Sequence, residues 1–384
     1  MSESENTTPD TDDYRVSKTA SQKVVEAPKI DYLPPNPEPP ALPIGLLGCG
    51  GIAATHLGVY REAQFPVTAV YDRHRDRARK LRDEFFPDAK LCESEREFFD
   101  ADFVIADLTP HPVDRVELIR KALASGRHVL SQKPLAVDIA DAKELIDLAD
   151  SQNVFLAVNH NGRWAPHVAY ARKAIEAGML GEIQSVDISI HWDHNWCAGT
   201  PFDRVHHLLL YDFAIHWFDM LVCYLPEFRP RNVFAQLGRT NTQKAIPPLN
   251  GQVLIDFDSD EGKYAQTALS FRGDSNRCPL DRTIIVGSKA TLVASGPNLN
   301  EQQVEIHFED GVANPLLESR WFDDGFQGTM GELICSIQEN RRPENHAETV
   351  LPTLEICFAA VESAETGNVV PVGSVTKLSE RHAH

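Results

Sequence analysis

From Ile44 onward, short apolar runs alternate with amphipathic stretches, a rhythm that predicts βαβ units around a parallel sheet. Strands are expected at 44–47, 67–71, 103–107, 128–131 and 154–158. Helices are expected over 76–85 and 112–124, and Gly126 ends the second as a C′ residue. Beyond about residue 160 the rhythm changes. Runs at 183–191, 231–237, 252–257, 264–271, 283–286 and 304–308 come in succession with turn signals between several of them. The clearest hairpin is Ser259-Asp260-Glu261-Gly262. Consecutive strands of this kind predict an α+β unit with an open, mostly antiparallel sheet and helices on one side. Two amphipathic helices, at about 326–340 and 347–364, close the chain, and Thr366-Gly367-Asn368 ends the second. Three zones follow: an N-terminal arm over 1–43, a parallel α/β domain over 44–160 and an α+β domain over 161–384.

The arm is compositionally distinct. Its first half is polar and acidic, and six prolines between 34 and 43 then exclude helix and favour an extended polyproline strand. Such a segment is either a disordered tail or an arm laid across a neighbouring subunit with Tyr32 and Leu33 as anchors. The rest of the composition, 42% hydrophobic and 24% charged, is that of a soluble globular protein, and 384 residues can bury two cores. A net charge of −19 repels polyanions, which excludes nucleic acid and anionic membrane surfaces as partners. No apolar run reaches the ~20 residues of a membrane span, and Met1-Ser2-Glu3-Ser4-Glu5 is no secretory signal. Seven scattered cysteines without a C-x-x-C indicate reduced thiols and a cytoplasmic protein.

Four stretches carry candidate chemistry. Gly48-Cys49-Gly50-Gly51-Ile52-Ala53 follows the first strand and has the form of a dinucleotide-binding turn. Its first glycine permits the bend, its second admits a pyrophosphate, and the helix N-terminus faces the anion. Asp72 closes the next apolar run, where the adenosine ribose hydroxyls need an acceptor. Lys133, followed by Pro134, stands at the C-terminal edge of the sheet, where open α/β sheets bind ligands. In Tyr211-Asp212-Phe213-Ala214-Ile215-His216-Trp217-Phe218-Asp219, helical spacing puts Asp212 and His216 on one face with Asp219 close by. The carboxylate then orients the imidazole and supports its protonated form for acid–base work. His191, Asp193 and His194, with His206 and His207, have the residue types of a zinc site. A polar strand edge accounts for them equally, and no metal is expected.

Taken in order, these motifs resemble the glucose–fructose oxidoreductase and inositol dehydrogenase family (Gfo/Idh/MocA). Thr109-Pro110, Gly126 to Pro134, Gly178-Met179-Leu180-Gly181-Glu182-Ile183, Asp212-x-x-x-His216-x-x-Asp219 and Ser363-Ala364-Glu365-Thr366-Gly367 complete the likeness, over about 44 to 373. The resemblance implies an N-terminal Rossmann domain, an open-faced α+β domain, and a nicotinamide meeting a sugar, polyol or related cyclic compound between them. It implies Lys133, Asp212 and His216 as the catalytic set. His216 would take the proton of a secondary hydroxyl, Lys133 would stabilise the developing alkoxide, and Asp212 would fix His216. Gly48, Gly50, Gly51, Ile52, Asp72, Arg73, Thr109, Pro110, Gln132, Lys133, Asn161 and Arg163 are the implied cofactor contacts. Asp72 favours NAD because it repels a 2′-phosphate; Arg73 and Arg75 keep NADP open. A homodimer or homotetramer through the exposed face of the C-terminal sheet is also implied.

This chain departs from the family pattern in three places. Gln132 stands where the family has Glu, with a hydrogen bond to the cofactor ribose as the remaining option. Asp114 replaces a histidine after the Thr-Pro turn. His206 and His207 replace small residues and, with Trp192, are candidates on the substrate side. Two rival readings stand beside a dissociable dehydrogenase. One is an enzyme that never releases its nucleotide and does internal redox chemistry, sugar–sugar oxidoreduction or glycoside cleavage, with the arm over the cofactor. The other is a non-catalytic nucleotide sensor on the same fold.

Overall fold

The structure is a computed structural model that describes residues 23–274 and 277–378. The acidic first half of the expected arm lies outside the described residues. Six parallel strands form the first sheet: β1 (Ile44–Leu47), β2 (Val67–Tyr71), β3 (Lys90–Leu91), β4 (Ile105–Leu108), β5 (His128–Gln132) and β6 (Leu156–Asn159). Their order, β3-β2-β1-β4-β5-β6, is that of the Rossmann fold. β1, β4 and β6 are buried at every position, as expected for parallel strands covered on both faces. The cover comes from α1 (Ala53–Glu62), α2 (Arg75–Phe85), α3 (Glu95–Phe99), α4 (Pro112–Ala124) and α5 (Ile139–Ser151), with α6 (Pro166–Glu176) leading into the second unit. Local chemistry sets the helix starts. The Ser94 hydroxyl accepts the Glu97 N–H, the Asp138 carboxylate accepts the Ala140 N–H, and Pro112 opens α4.

The second sheet has nine strands: β7 (Ile183–His191), β8 (Arg229–Gly238), β9 (Asn250–Asp258), β10 (Tyr264–Arg272), β11 (Leu280–Gly287), β12 (Thr291–Gly296), β13 (Gln303–Phe308), β14 (Gly311–Ala313) and β15 (Val370–Pro371). They run in the order β14-β13-β12-β11-β7-β10-β9-β8-β15, and every neighbouring pair is antiparallel except β7 with β10. The sheet is therefore mixed, mostly antiparallel. α7 (Ile215–Tyr224), α8 (Trp321–Glu339) and α9 (Ala347–Thr366) complete the helical side. Val233, Ala235, Val253 and Ile255 point into that core. The opposite face carries an aligned row in which Phe234 registers with Leu254, Leu254 with Ala268, Asp187 with Ile284, and Ile284 with Val293.

Two long-range contacts were not legible in the sequence. α8 returns to the first unit, where Met330, Leu333 and Ile334 pack with Ile44, Leu46 and Val70, so a helix from the third zone completes the first core. The described part of the arm makes contacts on its own chain. Val25 N–H donates to the Val312 carbonyl, the Tyr170 hydroxyl donates to the Pro28 carbonyl at 3.0 Å, and Tyr32 meets the Tyr170 ring edge-on. Further along, Gln338 holds both the N–H and the carbonyl of Glu38. Tyr32 is thus an anchor, whereas Leu33 is exposed. The arm then enters β1 from the end opposite the glycine turn.

Candidate active site

The turn after β1 is shaped from both sides. Gly48 has φ +98°, and a Cβ there would stand 2.7 Å from the Thr109 hydroxyl, so only glycine fits. Thr109 donates that hydroxyl to the Gly48 carbonyl at 2.7 Å, and Pro110 packs beside it. Asp72 accepts the Cys49 N–H and the His74 N–H, each at 2.6 Å. The sequence marks Asp72 as a ribose acceptor; the fold also makes it the clamp of the turn. Gly50 and Gly51 face open space, with nothing within 4 Å of an added Cβ. Their N–H groups and that of Ile52 have no protein acceptor among the described residues. An open glycine backbone at a helix N-terminus, with a half-buried carboxylate beside it, fits a dinucleotide. Arg73 leans loosely toward Asp114, 3.7 Å away on the surface. The buried Cys49 thiol is pushed up to about 12 by burial and then by Asp72, so it is a packing residue and not a nucleophile.

At the end of β5, Gln132 and Lys133 part ways. The Gln132 side chain is 8% exposed, and its Oε1 accepts the Lys133 N–H at 2.8 Å. Its Nε2 lies 3.2 Å from His56 Nε2, which Asn159 Nδ2 also approaches at 3.1 Å. His56 Nδ1 stands 2.7 Å from Asp107 Oδ2, and Tyr60 donates to the same oxygen at 2.8 Å. The carboxylate thereby fixes the proton on Nδ1 and leaves Nε2 to accept the amides. The expected contact between the Gln132 side chain and a cofactor ribose is thus replaced by a buried network that positions the backbone of Lys133. Arg115, wholly buried, donates to the carbonyls of Pro110 and Pro134 and ties the two ligand-facing turns together.

Lys133 Nζ reaches across to the start of α7, where it donates to Asp212 Oδ1 at 2.8 Å and to the Asp212 carbonyl at 2.7 Å. Asp212 lies in a π-helical turn, Leu209–Ala214, whose wider spacing departs from the α-helix on which an Asp212–His216 pair rests. No hydrogen bond joins Asp212 to His216, and His216 Nδ1 has no partner among the described residues. The expectation that Asp212 supports a protonated His216 is therefore corrected. Burial, then the Lys133 ammonium and the His160 ring, hold the His216 imidazole well below its usual range against the opposing pull of Asp219. His160, itself pushed down to about 4 by burial, stacks edge-on at 6.3 Å.

Arg163 and Asn161 also sit elsewhere than expected. Arg163 is 2% exposed and grips both oxygens of Asp219 at 2.7 Å, while Nη1 donates to the Glu344 carbonyl and Thr349. Burial works to raise the Asp219 carboxyl, but Arg163, His160 and the hydrogen bonds from Arg163 and Thr353 hold it at about 2. Asn161 Oδ1 accepts the Trp321 indole N–H at 3.2 Å. Both side chains brace the wall behind His216; as direct cofactor contacts they are corrected. Trp192 stacks on His194 at 5.4 Å and meets Trp217 edge-on at 5.7 Å. Trp217 in turn meets Trp321 at 6.1 Å and His216 at 6.4 Å, so one aromatic wall runs from the sheet to the imidazole. His206 and His207 both point to Glu365 at the end of α9. Sequence reasoning missed His56, Asp107, Arg115, His160, Trp321 and Glu365. Of these only His56, with Tyr60 four residues on, left a local signal.

A family model described as an oxidoreductase family with an NAD-binding Rossmann fold matches residues 42–160, and the GFO/IDH/MocA C-terminal domain matches residues 168–293. An uncharacterized oxidoreductase of Schizosaccharomyces pombe is 28% identical over 253 residues, 62% of this chain; the chain spans 66% of that relative's length. D-apiose dehydrogenase of Rhizobium rhizogenes is 23% identical over 86% of this chain and 97% of its own. The crystal structure of an inositol dehydrogenase homolog from Azotobacter vinelandii, complexed with NADH and myo-inositol, superposes with a TM-score of 0.71. It covers 86% of this chain and 97% of the homolog at 17% identity, a likeness of fold.

Proposed function

The chain belongs to the Gfo/Idh/MocA family of NAD-binding oxidoreductases, and on that premise we propose that it moves hydride between a nicotinamide and a secondary hydroxyl or ketone of a sugar, polyol or related cyclic compound. NAD, when bound, supplies the hydride acceptor or donor. The residues that would hold it are Gly48, Gly50, Gly51 and Ile52 at the pyrophosphate, Asp72 with Arg73 at the adenosine ribose, and Thr109, Pro110 and Lys133 along the sheet edge. Asp72 favours NAD over NADP because a second anion beside it is repelled.

The observation that carries this reading is the contact of Lys133 with Asp212 beyond the end of β5, beside a buried His216 imidazole that burial and then the lysine's charge hold well below its usual range. A base must be unprotonated to accept a proton, and burial with a nearby cation keeps the His216 imidazole so. Lys133, held by Asp212, presents a hydrogen-bond donor to the same substrate oxygen and favours its anionic form. Asp212 is thus a positioning residue for Lys133. Trp192, half-buried at the end of this aromatic wall with the buried Trp217 behind it, suits the apolar C–H face of a cyclic polyol. The D-apiose dehydrogenase and the myo-inositol complex among its relatives support that substrate class.

Residues 44–160 serve as the nucleotide domain and 161–384 as the substrate domain, with α8 shared between their cores. The aligned row of Phe234, Leu254, Ile284 and Val293 supports a homodimer or homotetramer through the open sheet face. Seven cysteines without a disulfide support a cytoplasmic location, and no helix among the described residues is long and apolar enough to cross a membrane. The described arm, which runs away from the glycine turn, lends no support to a permanently held nucleotide. A panel of sugars, polyols and inositols assayed for NADH formation tests the proposal. Turnover of at least one cyclic polyol or sugar is expected, and NAD binding with no turnover across the panel would leave the sensor reading in its place.

A further inference from the structure

Just before the π-helical turn that carries Asp212, the fold brings together His206, His207 and Glu365. The sequence groups the two histidines with His191, Asp193 and His194; the structure pairs them with a carboxylate 159 residues downstream of His206. His206 Nε2 lies 3.2 Å and His207 Nε2 3.3 Å from the same oxygen, Glu365 Oε1. The three ligand atoms lie within 4.8 Å of one another. Zinc bonds to nitrogen and carboxylate oxygen are about 2.0–2.1 Å long, so adjacent ligands on a tetrahedron stand about 3.3 Å apart. The two measured nitrogen–oxygen separations match that edge.

The backbone supplies a second observation. Adjacent side chains on an extended chain point to opposite sides, yet here the two rings are 4.2 Å apart. They converge because His207 adopts φ +51°, a left-handed conformation that a residue with a Cβ rarely takes. Immediately beyond, the His207 carbonyl accepts the Leu210 and Tyr211 N–H groups and starts the turn that carries Asp212. Two imidazoles and a carboxylate suit a borderline transition metal and not magnesium or calcium, which prefer oxygen.

We propose that His206, His207 and Glu365 bind a divalent transition-metal ion of the zinc class, which fixes the start of the helix bearing Asp212. The site does not depend on the proposed reaction, because metal binding is read without substrate. The full chain, freed of metal with a chelator, is titrated with Zn2+ and separately with Co2+. Uptake of about one ion per chain, a higher Tm and a visible Co2+ spectrum are expected. Glu365→Gln and His206→Ala are each expected to weaken binding by at least about tenfold. His207→Gly relieves the left-handed backbone, so its metal-free form should be at least as stable as the parent while its Tm no longer responds to zinc. No uptake by the parent chain, or undiminished uptake by all three variants, overturns the proposal.

Discussion

The Lys133 ammonium is held at the carboxylate and the carbonyl of Asp212, 2.8 and 2.7 Å away, across 79 residues of sequence. Both side chains are largely shielded, 13% and 25% exposed, so the pair is oriented more firmly than a surface ion pair. In the proposed reaction Asp212 acts through Lys133, and His216, which no hydrogen bond joins to Asp212, is the base.

That division predicts a pattern of non-additivity. Lys133→Met and His216→Ala should each lower turnover on the order of a hundredfold to ten-thousandfold, and His216→Ala should leave NAD affinity close to that of the parent. Asp212→Asn should cost little more once Lys133 is already Met, because its role runs through the lysine. Steady-state kinetics of the double variant decides it: an Asp212→Asn loss that stays undiminished in the Lys133→Met background would place Asp212 on His216 after all.

The protonation of His216 sets the pH response of substrate oxidation. Its imidazole is held well below the usual histidine range, so the neutral form persists below pH 6.5 and activity should fall only on further acidification. Lys133→Met removes a cation that pushes in this direction, so the His216 titration should move upward in that variant. Histidine NMR of the two proteins measures the shift, and a downward movement would contradict the assignment.

Asp72 has two tasks, so its substitutions should separate them. Asp72→Asn retains an acceptor for the Cys49 N–H but loses the charge that repels a 2′-phosphate. NADP binding should strengthen relative to NAD. Fluorescence titration with both reduced cofactors tests this, and an unchanged preference would remove Asp72 from cofactor selection.

Arg163 is buried against Asp219, and Arg163→Met would leave that carboxylate unpaired apart from Thr353. The expected loss is about 3–5 kcal/mol of folding stability, measured by denaturant unfolding. NAD affinity of the remaining folded protein should change little. Full stability with a large loss of NAD affinity would return Arg163 to the cofactor.

Asp281 is 2% exposed on β11, and burial pushes its carboxyl up to about 7. The folded state therefore binds a proton that the unfolded state releases near pH 3.9, and the associated stability is lost as pH rises through about 7. Asp281→Asn should raise Tm at pH 8 and have less effect at pH 5. Thermal melts at the two pH values check the sign.

The sequence by itself determined what is local. Gly48 to Ala53 form a turn because glycine alone accepts the Gly48 backbone. The period of apolar residues placed β1, β2 and β5 within a residue of their observed ends, and Lys133 sits at a strand end by the same pattern. β3, α3 and β14 were too short to show a period. Tertiary structure alone decided which charges meet. With 56 acidic residues in the chain, nothing in their spacing says which carboxylate faces Lys133, Arg163 or His206. Those choices rest on sheet order, on a π-helical turn before α7, and on α8 and α9 folding back over earlier elements, and each is a long-range packing outcome with no local signature.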